Sequence, residues 1–402
     1  MYLEDLPLEL LLRIFDYLPP NDLWCNFRAV NQRLNLLIRN QSYWLKRANY
    51  LHSLVLPKRL TGSLPATDND RPGSFLSAIY RCIATEQTAI RWSDSLKNFA
   101  HSVSTVDAHY GIIHAIRLFT INGKYFCLTG ARDRQIILSD LKPTINNNWT
   151  VEKAHDGWIW SISCSKYNVN SFFSAGWDSI VKKWQIAEAS ILPTQKISVD
   201  TAALSCVSEN ENILYVSTFR NGTLLYDTRA PCTSPLASNN CHGQRPVFEL
   251  TTMEDCNQIF SIGDDKQLAA VDKRRFESLV GTYQSNESIS HVDYEDRQLC
   301  LSLKNGHFLF FDPETLQLEN ELIITNDDDG SGLKGDQSIR VTRGGTFCAC
   351  SDNTLRVFSQ GIKPQQMAKL KLNENLTIDV LDGNIVAYTA TGAIHYWPNI
   401  AN

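Results

Sequence analysis

The chain has 402 residues, of which 43% are hydrophobic and 20% charged, and its net charge is −5. This length exceeds what one core usually accommodates, so we expect two or more structural units. The negative net charge argues against a chain that binds nucleic acid or an anionic membrane. No apolar run approaches the roughly 18 residues of a membrane span, and we find no secretory signal pattern. The eleven cysteines are therefore expected to be reduced, in a protein of the cytoplasm and/or nucleus.

The first 50 residues are predicted to form three or four short helices. Pro7 suits a first helical turn, and Pro19 and Pro20 cannot continue that helix. Between these prolines, apolar residues recur at steps of three and four and form one stripe: Leu10, Leu11, Ile14, Phe15 and Leu18. A unit this small has a marginal core, so we expect it to leave apolar surface for a partner.

The order of these residues resembles an F-box. The likeness runs from Leu6-Pro7 through the first helix to Asp22-Leu23, and continues at Val30, Arg33-Leu34 and Trp44. This resemblance implies binding to the Skp-type adaptor of a cullin–RING ubiquitin ligase. The expected adaptor-binding residues are Leu6, Pro7, Leu10, Ile14, Phe15, Leu18 and Leu23. The sequence leaves open which of them face the adaptor and which face the core. It also leaves open the alternative that these helices only cap the next domain.

Residues 51–100 are predicted to connect the helical unit to the rest of the chain. Pro57 to Ser74 is rich in Pro, Gly, Thr, Ser and Asp, which is typical of a loop or linker. From Phe75 the apolar residues have helical spacing, which predicts a connecting helix through about Glu86.

Residues 101–402 are predicted to be all-β, because short apolar or alternating runs are separated by turn residues. The region divides into seven units of about 40 residues. Each unit has a turn that is followed by a strand, and the last residue of that strand aligns the units. Those strand ends are Ser139, Trp184, Tyr226, Val271, Phe311, Phe358 and Trp397. The pattern resembles the seven-bladed WD-repeat β-propeller. His101 to Ala108 is expected to supply the outer strand of the last blade and so to close the ring.

The His and Asp residues that recur in the repeats are explained by the structure of the blades rather than by a catalytic or metal site. The resemblance implies buried hydrogen-bonded chains in the first two units, formed by His109 and Asp133, and by His155, Ser174, Asp178 and Trp184. Cys241-His242 is interpreted as part of a loop, because no second ligand pair has metal-site spacing. We therefore predict no catalytic, metal or cofactor site.

Residues just before the turns are expected near one rim of the ring, where the propeller family commonly binds peptides. With Trp158, they suggest a substrate-binding rim that includes Arg132, Trp158, Trp177, Phe219, Arg220 and Lys304. Aromatic and Arg side chains dominate interface energies. A full ring of Arg is missing, so a multiply phosphorylated segment is not indicated, although Arg132 and Arg220 could hold one acidic group. The alternative is that each residue only covers its own blade.

The predicted function is that of a non-catalytic, substrate-recognition subunit of an SCF-type ubiquitin ligase. In this hypothesis the F-box binds the Skp-type adaptor and the propeller binds a protein substrate that the sequence does not identify. The alternative is a non-degradative WD-repeat scaffold that joins protein partners. Both hypotheses share the same fold, so the sequence barely separates them.

Overall fold

A computed structural model gives the fold as N-terminal helices followed by a seven-bladed β-propeller, which confirms the predicted fold class. The structure describes residues 6–52, 73–92, 103–105, 109–141, 148–164, 169–187, 190–210, 212–229, 234–252, 257–295, 298–326, 330–342, 344–359, 364–372, 376–389 and 394–399. Most of the loop predicted over Pro57 to Ser74 lies outside these residues. The domain boundaries at 50 and 100 therefore stay predictions.

Four helices and a 3₁₀ turn form the N-terminal unit: α1 (Leu8–Asp16), α2 (Pro20–Cys25), the turn (Phe27–Ala29), α3 (Gln32–Ile38) and α4 (Gln41–His52). Their shared core is small and contains Leu11, Phe15, Leu23, Leu34, Ile38, Tyr43 and Trp44. The helix α5 (Gly73–Trp92) follows. In the described part of the chain, no helix is both long and apolar enough to cross a bilayer.

Arg47 fastens the end of α1 to α4. Its side chain is buried, and its guanidinium donates to the carbonyl oxygens of Phe15 at 2.7 Å and Leu18 at 2.6 Å. The last carbonyls of a helix have no partner within the helix, and they carry partial negative charge. A buried cation at this position therefore holds the short α1 in place despite the small core.

The helix α5 belongs to two cores at once. Ile79, Cys82 and Ile83 complete the core of the N-terminal unit. At the other end, Trp92 joins a propeller cluster, with its ring 6.5 Å from that of Phe347. The helix runs past the end predicted near Glu86, and Arg91 and Trp92 in its last turn are buried against the propeller.

Seven four-stranded antiparallel sheets make up the propeller, and we number them as blades 1 to 7. Blade 1 contains β2 (Ile113–Ile121), β3 (Lys124–Ala131), β4 (Ile136–Asp140) and β5 (Asn148–Val151). Blade 2 contains β6 (Ile159–Ser163), β7 (Ser171–Gly176), β8 (Ile180–Ala187) and β9 (Ser190–Ser198). Blade 3 contains β10 (Ala203–Asn210), β11 (Ile213–Thr218), β12 (Thr223–Asp227) and β13 (Ala237–Asn239).

The remaining blades repeat this arrangement. Blade 4 contains β14 (Val247–Thr251), β15 (Gln258–Gly263), β16 (Gln267–Asp272) and β17 (Leu279–Gln284). Blade 5 contains β18 (Ile289–Glu295), β19 (Gln298–Leu303), β20 (His307–Phe311) and β21 (Leu318–Ile323). Blade 6 contains β22 (Ser338–Val341), β23 (Thr346–Cys350), β24 (Thr354–Phe358) and β25 (Gln366–Lys371). Blade 7 contains β26 (Leu376–Leu381), β27 (Asn384–Thr389), β28 (Ile394–Trp397) and β1 (Val103–Thr105).

The ring closes through β1, the first strand of the chain. It pairs antiparallel with β28, with Val103 opposite Tyr396 and Thr105 opposite Ile394. The prediction that His101 to Ala108 supplies the outer strand of the last blade is confirmed for its described part. Closure of this kind covers the edge that an open sheet would expose.

Candidate functional site

Buried side-chain networks fix the turns at one end of blades 1 and 2. In blade 2, the His155 imidazole lies 3.0 Å from Asp178 through Nδ1 and 2.6 Å from the Ser174 hydroxyl through Nε2. Trp184 donates from Nε1 to the same hydroxyl at 2.8 Å. The structure thus brings together the four residues to which the sequence assigned a structural role in this blade.

Blade 1 repeats the network without the tryptophan. His109 lies 2.9 Å from Asp133 and 2.8 Å from the Thr129 hydroxyl. Burial alone would raise the pKa of Asp133, but hydrogen bonds from His109 and from two backbone amides hold it below its usual value. The pKa of Asp178 is lowered in the same way by His155. Both carboxylates therefore serve as acceptors that anchor a turn.

A third network lies in blade 4, where the sequence analysis interpreted Cys241-His242 as part of a loop. His242 lies 2.9 Å from Asp265 and 2.8 Å from the Ser261 hydroxyl. Ser261 and Asp265 follow His242 by 19 and 23 residues, the same separations as in blade 2. These shared separations are the sequence signal of the network, and metal-ligand spacing does not reveal it.

An aromatic cluster, Trp158, Trp160, Trp177 and Phe219, covers the rim of blades 2 and 3. The Trp177 ring lies 5.8 Å from Trp158, 5.7 Å from Trp160 and 5.8 Å from Phe219, each in a tilted arrangement. Trp158 is 41% exposed and Trp177 is 39% exposed. Fixed, half-exposed indoles of this kind are the typical anchors of protein-binding surfaces. Three of the predicted rim residues are thus brought together here.

Two β-bulges add side chains to this rim that the sequence analysis missed. The pairing of β2 with β3 shifts between Ile113 and Ala115, and that of β6 with β7 shifts between Ile159 and Ser161. The unpaired residues are His114 and Trp160, whose rings stack with their centroids 4.3 Å apart. Bulges redirect side chains in this way, so the composition of the rim depends on an irregularity that the sequence pattern does not reveal.

Arg132 joins the aromatic cluster from blade 1. Its guanidinium carbon lies 4.3 Å from the centre of the Trp158 ring, and its Nε donates to Nε2 of His114 at 2.8 Å. Burial, with help from the nearby Arg132 charge, lowers the pKa of His114 to about 4. A neutral His114 accepts this hydrogen bond without cancelling the positive charge, so the cluster carries one fixed cation.

Among the described residues, no hydrogen bond, ion pair or ring contact joins Arg220 or Lys304 to this cluster. Arg220 is exposed next to Phe219. Lys304 lies in blade 5, where its ammonium group is 2.9 Å from Asp336. The rim is therefore concentrated on blades 1 to 3.

Exposed apolar side chains also lie on the N-terminal helices. The largest exposed fractions belong to Leu8 (44%), Leu10 (47%), Tyr17 (90%), Val30 (68%) and Leu36 (74%). Of the predicted adaptor-binding residues, Pro7 is exposed and Leu6, Ile14 and Leu18 are half-buried. Phe15 and Leu23, by contrast, are fully buried. These two residues are corrected to the core, because the small unit has few other large side chains to fill its centre.

The N-terminal helices and the aromatic cluster belong to opposite ends of the ring. The helix α5 contacts the loops that join the first and second strands of blades 6 and 7, at Gly344 and Gly383. Arg132, Trp177 and Phe219 lie in loops that join second and third strands. In an antiparallel blade these two kinds of loop lie at opposite ends.

Comparison with known proteins agrees with both parts of the structure. A model of the F-box domain matches residues 3–46. The chain is 30% identical to the F-box/WD repeat-containing protein mec-15 of Caenorhabditis elegans over 77% of this chain and 75% of that protein. It is 26% identical to F-box/WD repeat-containing protein 9 of Homo sapiens, over 96% of this chain and 80% of that protein. The chain belongs to the F-box/WD repeat-containing proteins.

The ring of this F-box/WD repeat protein is also joined through its central channel. Glu249 of blade 4 lies 3.1 Å from His291 of blade 5, which accepts a hydrogen bond from Arg340 of blade 6 at 2.7 Å. Arg340 donates to Asp379 of blade 7 at 3.0 Å, and Asp379 accepts from the Leu118 amide of blade 1 at 2.7 Å. We call this chain of contacts the channel network.

Burial sets the protonation of the channel network. It raises the pKa of Glu249 to about 7, although the nearby Arg340 opposes the shift. Burial, and then Arg340, lower the pKa of His291 well below its usual value. Asp293, Asp379 and Glu249 raise the pKa of Arg340 against the effect of its burial. Glu249 thus gains or loses a proton near neutral pH.

Proposed function

We propose that this F-box/WD repeat protein is the substrate-recognition subunit of an SCF-type ubiquitin ligase. In this proposal the F-box helices bind the Skp-type adaptor, and the propeller rim binds the substrate. The observation that supports it most is the arrangement of two exposed apolar surfaces at opposite ends of one structure joined by α5.

The proposed contribution is proximity rather than chemistry. A substrate held at the aromatic cluster would be presented at a fixed distance from the adaptor, because α5 is packed into both cores. Holding two reactants together converts an encounter into an effectively intramolecular step. We infer that the chain itself is non-catalytic and that it acts in the cytoplasm and/or nucleus.

Adaptor binding is tested by Leu10→Asp. Leu10 is 47% exposed, so the charge should leave the core intact while it disrupts an apolar contact. Burying one such side chain contributes about 1.5–3 kcal/mol, so capture of a purified Skp-type adaptor should fall at least tenfold. Leu192→Asp is the matched control, because Leu192 is 55% exposed on the outer strand of blade 2. Unchanged capture by the folded Leu10→Asp protein would contradict adaptor binding through this apolar surface.

Substrate binding is tested by affinity purification with wild type and with a Trp177→Ala variant. Proteins captured only by wild type are substrate candidates, and their ubiquitination should fall when the chain is removed from cells. If the captured proteins keep the same ubiquitination, the chain is a scaffold that joins partners instead. If Trp177→Ala captures the same proteins as wild type, the substrate site lies elsewhere.

A further inference from the structure

The chemistry of the aromatic cluster indicates which kind of segment it would bind. Trp158 and Trp177 present exposed indole surface, and the rings of Phe219 and Trp160 both lie against Trp177. These contacts order the rings in advance, so a ligand would lose little additional entropy on binding. Such a surface favours one bulky aromatic or aliphatic side chain.

Arg132 supplies a charge-specific feature beside these rings. Its Nε donates a hydrogen bond to His114, and Trp158 covers one face of its guanidinium. Within the described residues, no group accepts a hydrogen bond from Nη1 or Nη2 of Arg132. The two terminal nitrogens of a guanidinium form a fork that matches one carboxylate. A fork fixed by stacking needs little further ordering to bind it.

The surrounding charges favour a singly charged acid. Asp156, next to the turn that holds Trp158, is exposed and negative, so it would repel a doubly charged phosphoryl group more strongly than a singly charged carboxylate. Two basic residues at this end of the ring are already paired, since Arg245 lies 3.6 Å from Asp264 and Lys304 lies 2.9 Å from Asp336, whereas Arg134 and Arg220 are exposed. One fixed arginine, supported by the exposed Arg220, therefore matches one carboxylate rather than several phosphates.

We infer that the rim binds an unphosphorylated peptide segment in which an Asp or Glu lies close to a bulky apolar residue. The apolar side chain contacts Trp158 and Trp177, and the carboxylate binds the terminal nitrogens of Arg132. This inference rests on the proposed function, since it specifies the substrate class of the rim.

The test selects random displayed peptides on the purified full-length chain and removes those that also bind a Trp177→Ala variant. The expected enriched motif is an acidic residue within a few positions of Trp, Phe, Leu or Ile. Synthetic forms of one enriched peptide, with Asp, Asn or phosphoserine at the acidic position, are then titrated by fluorescence anisotropy. The Asp peptide should bind about tenfold or more tightly than the Asn peptide, and more tightly than the phosphoserine peptide.

Arg132→Gln completes a double-mutant cycle. In this variant the difference between the Asp and Asn peptides should disappear, whereas the control Arg245→Gln should preserve it, because Arg245 lies at the same end of the ring in blade 4. Thermal unfolding establishes that both variants are folded. No enriched peptide, a motif without an acid, tighter binding of phosphoserine, or an unchanged difference in Arg132→Gln would each overturn the inference.

The outcome can be separated from that of the proposed function. If the rim selects acidic–apolar peptides but Leu10→Asp leaves adaptor capture unchanged, the inference stands and the ligase proposal fails. If substrates lose ubiquitin in Trp177→Ala but no acidic motif is found, the ligase proposal stands and the inference fails.

Discussion

Blades 1 to 4 and blades 5 to 7 hold the same four-stranded fold with different chemistry. In blades 1, 2 and 4, a histidine, a hydroxyl and an aspartate fix the turn within the blade. In blade 6, Gln337 contacts Ser351 instead, at 2.8 Å, and Asp352 pairs with Arg356. The repeated signature is therefore one means of holding a blade, and its loss leaves the fold intact when other polar groups take its place.

The two halves also carry different surfaces. The aromatic cluster and Arg132 lie on blades 1 to 3, whereas α5 packs on blades 6 and 7. Substitutions in each half should therefore have different consequences, which three experiments can measure.

Asp178→Ala should have the largest effect on stability. It leaves the fully buried His155 ring without its acceptor, and breaking a buried polar network costs about 3–4 kcal/mol. Asp227→Ala is the control, because Asp227 pairs with Arg229, which is 69% exposed, and pairs at the surface contribute little to stability. Chemical denaturation measures both. Equal effects would mean that the network in blade 2 does not hold the blade.

Gly344→Ala should have an intermediate effect, confined to the junction with α5. A Cβ atom at Gly344 would lie 2.5 Å from the Ala84 carbonyl oxygen of α5, so the helix must move. Overpacking of this kind costs about 2 kcal/mol. Hydrogen exchange should increase in α5 and not in blades 1 to 3. Gly332→Ala is the control, because its nearest atom would be 3.8 Å away.

Glu249→Gln should have the smallest effect, visible as a changed pH dependence. The carboxyl group titrates near 4.5 when unfolded and near 7 when folded. Between these values the folded state keeps a proton that the unfolded state releases, so this contribution to stability is lost as pH rises. The shift amounts to about 1–2 kcal/mol after a discount for the side chain's 20% exposure.

The comparison of variant and wild type isolates Glu249 from its neighbours. His291 and His114 are held neutral in the fold, so they lower stability as pH falls below their unfolded pKa, in both proteins. Denaturation at pH 5 and pH 8 should therefore show that Glu249→Gln gains stability relative to wild type at the higher pH. Parallel pH curves would contradict a protonated Glu249 in the channel network.

Much of this architecture follows from the sequence because it repeats. The seven units follow from their spacing, and the closing strand near Val103 and the networks of His109 and His155 follow from the resemblance to WD repeats. Details that depend on packing were missed. The bulge that places Trp160 in the rim leaves no periodic signal, and Phe15 could be assigned to the core only once α3 and α4 were known to cover it.

The closure of the ring by β1 has a consequence for biosynthesis. Val103 is synthesised long before its partner Tyr396. Contacts so distant along the chain form slowly, because a long loop must first be closed. The buried cluster around Trp92 likewise forms only after Phe347 and Trp397 have been synthesised. A ribosome that stops before blade 7 would release F-box helices without a firm link to the rim, so the two surfaces are joined only after blade 7 has been made.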